Sequence, residues 1–437
     1  MRLRILLINP WAYDFAAYNL WARPLGLLRV AEYLGSFDAE LLLIDCTDSV
    51  EIREYGTGKF RMEPVKKPEV LKDIPRLYKR YGIGIDEFMK KVRESLPVDI
   101  VLMTSMMSWW YPGVEKTVEI VRDIMGDVPV VLGGIYATLC HEHASRFSGA
   151  DFIYRGSLNE CLKFALSTFG FKLRKKTVPR PYYGLNLYPS YPFAPILTST
   201  GCPFRCSYCA SGLLTENFRR RPVDEVVEEV RALRALGVRD LAFYDDALLI
   251  DHEGYIKPIL RQIVDEGLEV RFHTPNGLHA TFIDEELASL MRKTNFRTIR
   301  LGLETVNTVR QISTGGKVSI EDLEGAVRFL WKKGFTKKEV GVYLMYGLPG
   351  QELLEVREGI TFLKTMGVRI NLTEFSPIKG TQSWQELVEK GTINDDLDPL
   401  LTNNTVFTYL YSGYDPQEVE KIKLEVKEYN NMTAHLH

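Results

Sequence analysis

The stretch APILTSTGCPFRCSYCAS (194–211) decides how this chain is read. An apolar run, 194–200, ends in small polar residues, and three cysteines, Cys202, Cys206 and Cys209, follow in the spacing C-x3-C-x2-C. Such a run is expected to be a strand, which puts the cysteines in the loop at its C-terminal end, the edge where repeated strand–helix folds place their chemistry. Structural zinc takes four protein ligands, and neither a histidine nor another cysteine lies within forty residues of the three. Three thiolates also suit a four-iron, four-sulfur cluster that keeps one iron without a protein ligand. Zinc is the alternative at this point.

Working outward, the same strand-then-helix pattern repeats. DLAFYDD (240–246), EVRFHTP (269–275), TIRLGLE (298–304), EVGVYLMY (339–346) and RINLTEF (369–375) are strand-like. Amphipathic segments such as 222–237 and 319–334 separate them, the latter opening on a capping-type Ser-x-x-Asp. Six such units over 191–376 predict an open, partial (β/α)6 barrel. From 377 to 437 the repeat is lost, and a small α-rich C-terminal cap is expected.

Residues 1–170 carry a second, shorter-period series: LRILLINP (3–10), AELLLID (39–45), VDIVLMTS (98–105), VPVVLGG (128–134) and ADFIYRG (150–156). Continuous apolar strands alternating with helices predict a parallel sheet covered on both faces, a doubly wound, Rossmann-like α/β domain. An insertion, 46–97, reads as loop plus two helices, and the basic, proline-bearing 171–190 as a linker. A net charge of −2 gives no general attraction to nucleic acid. No apolar run reaches the length of a membrane span, and the sparse cysteines fit a reducing cytoplasm. Cys46, Cys140 and Cys161, outside the triad, read as buried structural thiols.

The cysteine spacing, with Tyr208 before the last cysteine, resembles the signature of the radical S-adenosylmethionine (SAM) superfamily. The resemblance implies a [4Fe-4S] cluster on Cys202, Cys206 and Cys209, with SAM chelating the free iron and cleaved to a 5′-deoxyadenosyl radical. It also implies SAM contacts from Tyr208, from Glu304 at the end of RLGLE, and from Gly347 in YGLPG (346–350). Asp245 and Asp246 stand where the family usually has Gly-Gly-Glu, and helix capping is the alternative for both. A reductant such as flavodoxin or ferredoxin is implied. The arginines of FRRRP (218–222) read mainly as solvated surface.

The N-terminal series is similar to cobalamin-binding domains. Ser105 and Met107 match the family's Ser-x-Leu element, and Gly133 and Gly134 its double glycine. RPLGLLRVAEYL (23–34) is a further match, and GSLNE (156–160) supplies Gly156 and Glu160 in place of the usual Gly-Glu-x-x-Glu. Many such domains ligate cobalt through a histidine after the first strand, but here no histidine precedes His141. The expectation is base-off cobalamin with no His ligand, its lower face shielded by Trp109, Trp110 and Tyr111. His141 and His143 are expected on a helix surface. The whole resembles cobalamin-dependent radical SAM enzymes, which implies methyl transfer to an unactivated carbon. Cyclisation or rearrangement without methylation is the alternative within that architecture, and a non-catalytic cofactor-sensing or metal-stabilised module the alternative outside it. The substrate, whether small molecule, lipid, peptide or protein, and the catalytic residues are not legible.

Overall fold

The computed structural model describes residues 2–48, 50–51, 58–156, 158–175, 184–190 and 192–432. The chain divides into two compact units. The first comprises Met1–Arg53, Thr57–Tyr191 and the short returning segment Leu397–Asn403; the second comprises Glu54–Gly56, Pro192–Asp396 and Asn404–His437. The segment expected to be a single C-terminal cap is therefore shared between the two. Of the expected linker, 176–183 lies outside the described residues.

In the first unit, the strands Leu3–Asn9, Ala39–Asp45, Ile100–Met103, Val130–Leu132 and Phe152–Ile153 form one sheet. All neighbours are parallel. In order of appearance the arrangement is 2-1-3-4-5, so the direction of winding reverses between the first and third strands. Ligands on such sheets bind beyond the strand ends at that point. Alternation along Leu3–Asn9 serves two cores. Leu6 and Ile8 pack with Phe88, Val114 and Val121 on one face. Ile5 and Leu7 pack with Leu27, Ala31 and Leu166 on the other. Each such fully buried side chain contributes roughly 1.5–3 kcal/mol, which explains an apolar run without polar interruption.

The insertion differs from its expected form. Among the described residues it contains one α-helix, Ile85–Glu94, and short antiparallel strands. Met62–Pro64 and Lys79–Tyr81 pair into a sheet with Ala12–Asp14. Gly58–Phe60 pairs with Val50–Glu51 and with Tyr18–Asn19. Between Pro68 and Pro75 only the 3-10 turn Glu69–Leu71 forms. Proline removes a helix donor and disfavours helical geometry in the residue before it.

In the second unit six parallel strands follow one another in chain order: Phe193–Ile196, Asp240–Phe243, Arg271–His273, Phe296–Glu304, Val340–Tyr346 and Arg369–Glu374. Helices connect them, including Val223–Ala235, Ile256–Asp265, Glu285–Lys293, Ile320–Lys332 and Leu353–Thr365. Ser319 and Asp322 form the reciprocal capping box anticipated before Ile320–Lys332. The six-strand series does not close into a full barrel, and Gln382–Glu389, Asn404–Tyr411 and Pro416–Met432 complete the unit.

Candidate functional site

In the second unit the first strand ends at Ile196, and Ser199–Thr200 turns aside to pair with Arg219–Arg220. That hairpin frames the cysteine loop. The three thiols are free of disulfides. Burial, with repulsion from Cys209, Asp246 and Cys206, pushes the Cys202 thiol up to about 11. Burial also raises Cys206, against the pull of Lys317. A bare thiolate set is thus costly, and a cationic iron–sulfur core would relieve it. The three sulfurs do not all lie within 4.8 Å of one another. Among the described residues the one tight potential metal-ligand group is His252, Glu253 and Asp284. Lys257 already fills it, its ammonium 2.6 Å from Asp284.

The loop is braced by a segment that sequence reasoning missed. The Ser207 amide donates to the Thr314 carbonyl (3.2 Å), and Ser383 donates to the Ser207 carbonyl (2.9 Å). Gly315, at φ 133°, sits so close that a Cβ there would lie 3.0 Å from the Cys206 sulfur. Two residues on, Lys317 donates to Glu304 at 2.8 Å and lies 5.9 Å from the centre of the Tyr208 ring. Burial opposes the Lys317 charge, but Glu304 and Tyr208 outweigh it and raise its pKa. The structure thus gathers Cys206, Tyr208, Glu304 and Lys317 at one strand edge. His279, also unforeseen, stacks on Phe204 of the cysteine loop at 4.7 Å. Burial and Lys317 lower its pKa to about 4. The Thr-Gly-Gly-Lys run (314–317) was the available signal for the brace.

The two adjacent aspartates part ways. Asp245 is buried, and its Oδ1 accepts from the Thr198 amide (3.0 Å) and hydroxyl (2.7 Å) and from the Ser199 amide (2.5 Å) and hydroxyl (2.6 Å). It staples the first strand's end to the second and has little left for a ligand. Asp246 is exposed and accepts from Ser211 at 2.5 Å. Gly347 begins a turn held from outside. Arg310 donates to the Pro349 and Gly350 carbonyls, each at 2.9 Å, while its Nε pairs with Glu355. Of the FRRRP arginines, Arg220 pairs with Asp251 and Arg221 with Glu229.

In the first unit the strand ends bring together two of the anticipated elements. The Ser105 hydroxyl donates to the Gly133 carbonyl (2.7 Å), and the Ile135 amide donates to the Ser105 carbonyl (2.7 Å). Gly134, at φ 95°, admits no side chain, because a Cβ would lie 2.3 Å from the Ser105 carbonyl oxygen. A small cavity at the winding switch is lined by Asn9, Trp11, Thr47, Ser105, Met107 and Trp110, among others. Gly156 and Glu160 are exposed. Trp109 and Trp110 are half-buried, and both indole N–H groups donate to Asp14.

His143 departs from its expected place on a helix surface. Its Nδ1 is 2.7 Å from the Tyr136 hydroxyl, and its ring packs against Tyr111 and Phe147. The cause is tertiary: Tyr111 heads a neighbouring helix, Tyr111–Met125. His141 is half-buried. Cys46 is buried, and its thiol is raised well above the ordinary value by that burial. Cys140 is half-buried, and the side chain of Cys161 lies outside the described residues.

The radical SAM superfamily matches residues 196–363, and the B12-binding domain matches 77–162. With the cysteine loop on one sheet and the double-glycine cradle on the other, the chain belongs with the proteins that join a B12-binding domain to a radical SAM domain. Its cofactors are accordingly a [4Fe-4S] cluster, SAM and cobalamin. An uncharacterised methyltransferase of Pyrococcus horikoshii is 26% identical over 330 residues, 68% of this chain and 70% of that protein. The hopanoid C-2 methylase of Rhodopseudomonas palustris is 25% identical over 41% of this chain and 37% of its own length. In fold the chain is similar to the radical SAM methyltransferase TsrM from Kitasatospora setae, at TM-score 0.63 and 17% identity over 89% of this chain and 75% of that one. Among the described residues no helix is long and apolar enough to cross a membrane.

Proposed function

We propose that this protein is a C-methyltransferase that acts on an unactivated carbon in the reducing cytoplasm, supplied with electrons by a flavodoxin or ferredoxin. The observation that carries the reading is the pairing, in one chain, of the Cys206–Tyr208–Glu304–Lys317 edge with the Ser105–Gly134 cradle. Cys202, Cys206 and Cys209 would hold the cluster. Tyr208, Asp246, Glu304 and the turn at Gly347 would bind SAM, with Asp245 supporting them from behind. Ser105, Met107, Gly133 and Gly134, with Trp109, Trp110, Gly156 and Glu160, would bind cobalamin. When bound, these cofactors together supply a hydrogen-abstracting 5′-deoxyadenosyl radical and a transferable methyl group.

The chain's own part is binding and orientation. Lys317 engages Oε1 of Glu304, and the second carboxylate oxygen would meet a ribose hydroxyl or an ammonium. Glu304 takes one of the three ammonium donors of Lys317, which leaves donors for an anionic ligand group. Arg310 and Glu355 fix the turn at Gly347, so backbone groups there are set before a ligand arrives. Names of relatives that include a methyltransferase and a C-2 methylase support the transferred group.

The experiment is anaerobic turnover of reconstituted, cobalamin-loaded protein with substrates suggested by neighbouring genes. The expected result is 5′-deoxyadenosine and S-adenosylhomocysteine accumulating together with methylated product. An altered but unmethylated product without S-adenosylhomocysteine would establish cyclisation or rearrangement instead. Cofactor binding with no 5′-deoxyadenosine on reduction would favour a non-catalytic module.

A further inference from the structure

Asp14 lies beyond the end of the first strand, in the short strand Ala12–Asp14, and is 5% exposed. Both carboxylate oxygens accept hydrogen bonds, five in all. Oδ1 accepts from the Phe15 amide (2.7 Å), from Asn403 Nδ2 (2.9 Å) and, at longer range, from the Ala16 amide (3.4 Å). Oδ2 accepts from Trp109 Nε1 (2.8 Å) and Trp110 Nε1 (2.7 Å). Among the described residues no cation lies within ion-pair distance of it. Burial raises its pKa, and the hydrogen bonds from Trp110, Trp109, Asn403 and the Phe15 amide oppose the rise.

Burying a carboxylate against neutral donors alone is costly, and an apolar side chain would pack two indoles at lower cost. What the carboxylate adds is geometry. Two N–H groups that share one oxygen fix the two rings relative to each other and to the strand end. Trp110 lines the cavity at the winding switch, together with Asn9, Thr47, Ser105 and Met107. Both rings stay half-exposed although their N–H groups are anchored. Both indoles are therefore held by their polar edges, and Trp110 adds its side chain to the cavity wall beside Ser105.

We propose that Asp14 is a positioning residue that locks Trp109 and Trp110 into an apolar floor under the corrin ring, at the strand end where no histidine is available, and so keeps water and imidazole off the lower face of cobalt. The inference rests on the assignment of the cobalamin site to the first unit. It adds a second-layer group that acts only through the two tryptophans.

The test uses the full chain, loaded with cobalamin, reduced to the cob(II) state and examined by electron paramagnetic resonance alongside equilibrium binding. The wild-type signal is expected to lack nitrogen splitting and to be that of cobalt without an axial ligand. Asp14→Asn keeps the shape but loses an acceptor for the indoles. It is expected to shift the signal to a water-ligated form and, because two side chains are no longer pre-ordered, to weaken cobalamin binding by about tenfold. Trp110→Phe, which keeps an aromatic ring and removes the anchoring N–H, should move both readouts the same way by less. Iron content of the second unit reports intact folding and should not change. If circular dichroism shows that Asp14→Asn does not fold, the double variant Trp109→Phe/Trp110→Phe decides by the same readouts. A spectrum and affinity equal to wild type in the folded variants overturn the proposal. Nitrogen splitting from a protein histidine in the wild type overturns the floor while leaving the cobalamin assignment standing. Failure of the wild type to bind cobalamin overturns that assignment.

Discussion

Glu304 and Asp14 are both carboxylates at sheet edges, one in each unit, and they are handled in opposite ways. Glu304 is half-buried, ends its strand at φ 68°, and is neutralised by Lys317. Asp14 is sealed away and meets five neutral donors. A carboxylate that is to take a ligand must keep a lone pair free. One with every lone pair taken acts through its neighbours. Asp245 in the second unit follows Asp14 in this, with Thr198 and Ser199 as the groups it organises.

The largest expected effect is on the cysteines beside Glu304. Replacing Cys202, Cys206 and Cys209 with alanine should remove both the iron and all reductive SAM cleavage, as measured by iron content and 5′-deoxyadenosine. Cleavage by that triple variant would end the assignment of the second unit and the comparison with it. Next comes the first unit's cradle. Gly134→Ala forces a Cβ to within 2.3 Å of the Ser105 carbonyl oxygen at positive φ. The strain should cost about 2 kcal/mol or more and abolish cobalamin binding, with the iron content unchanged. Thermal unfolding and cobalamin titration check both.

The carboxylates themselves sharpen the contrast. Glu304→Gln should weaken SAM binding roughly ten- to hundredfold with little loss of stability, since a charge-assisted contact is lost at a half-open position. Asp245→Asn should do the reverse, costing about 1–3 kcal/mol of stability because buried donors lose an acceptor. SAM titration and denaturant unfolding of the two variants, done side by side, would erase the distinction if they behaved alike.

The smallest effect is a difference in pH response between the units. Burial and Asp398 push Glu115 of the first unit up to about 7. A raised carboxyl favours folding below its unfolded value, and that contribution is lost as pH rises toward 7. His279 of the second unit, lowered to about 4, contributes stability above its unfolded value that is lost as pH falls toward 4. Relative to wild type, Glu115→Gln should therefore flatten the gain in first-unit stability between pH 7.5 and pH 5, a shift small enough to need calorimetry because Glu115 is partly exposed.

The cysteine loop, both strand series and the double glycine were legible because their signals are local: spacing, apolar runs and turn residues within a few positions of one another. The insertion was misread because its strands pair with Ala12–Asp14 and Tyr18–Asn19, partners that no local pattern reveals. Lys317 was missed for a related reason, since its partner is thirteen residues away across the short helix Thr308–Ser313 and its turn. His143 looked like a helix-surface residue until a neighbouring helix covered it.

The amino-acid sequence by itself therefore determined two parallel α/β sheets, the place of the cysteine loop after a strand and the absence of a histidine at the first strand end, because strand periodicity and residue spacing are short-range properties of the chain. Tertiary structure alone decided which carboxylate keeps an oxygen open and which is spent on support. Asp14 gathers donors from 95 and 389 residues away, Asp245 from 47, and Glu304 meets its ammonium across a loop. Whether an acid is free or consumed depends on what burial and hydrogen bonding bring to it, and distant segments supply both.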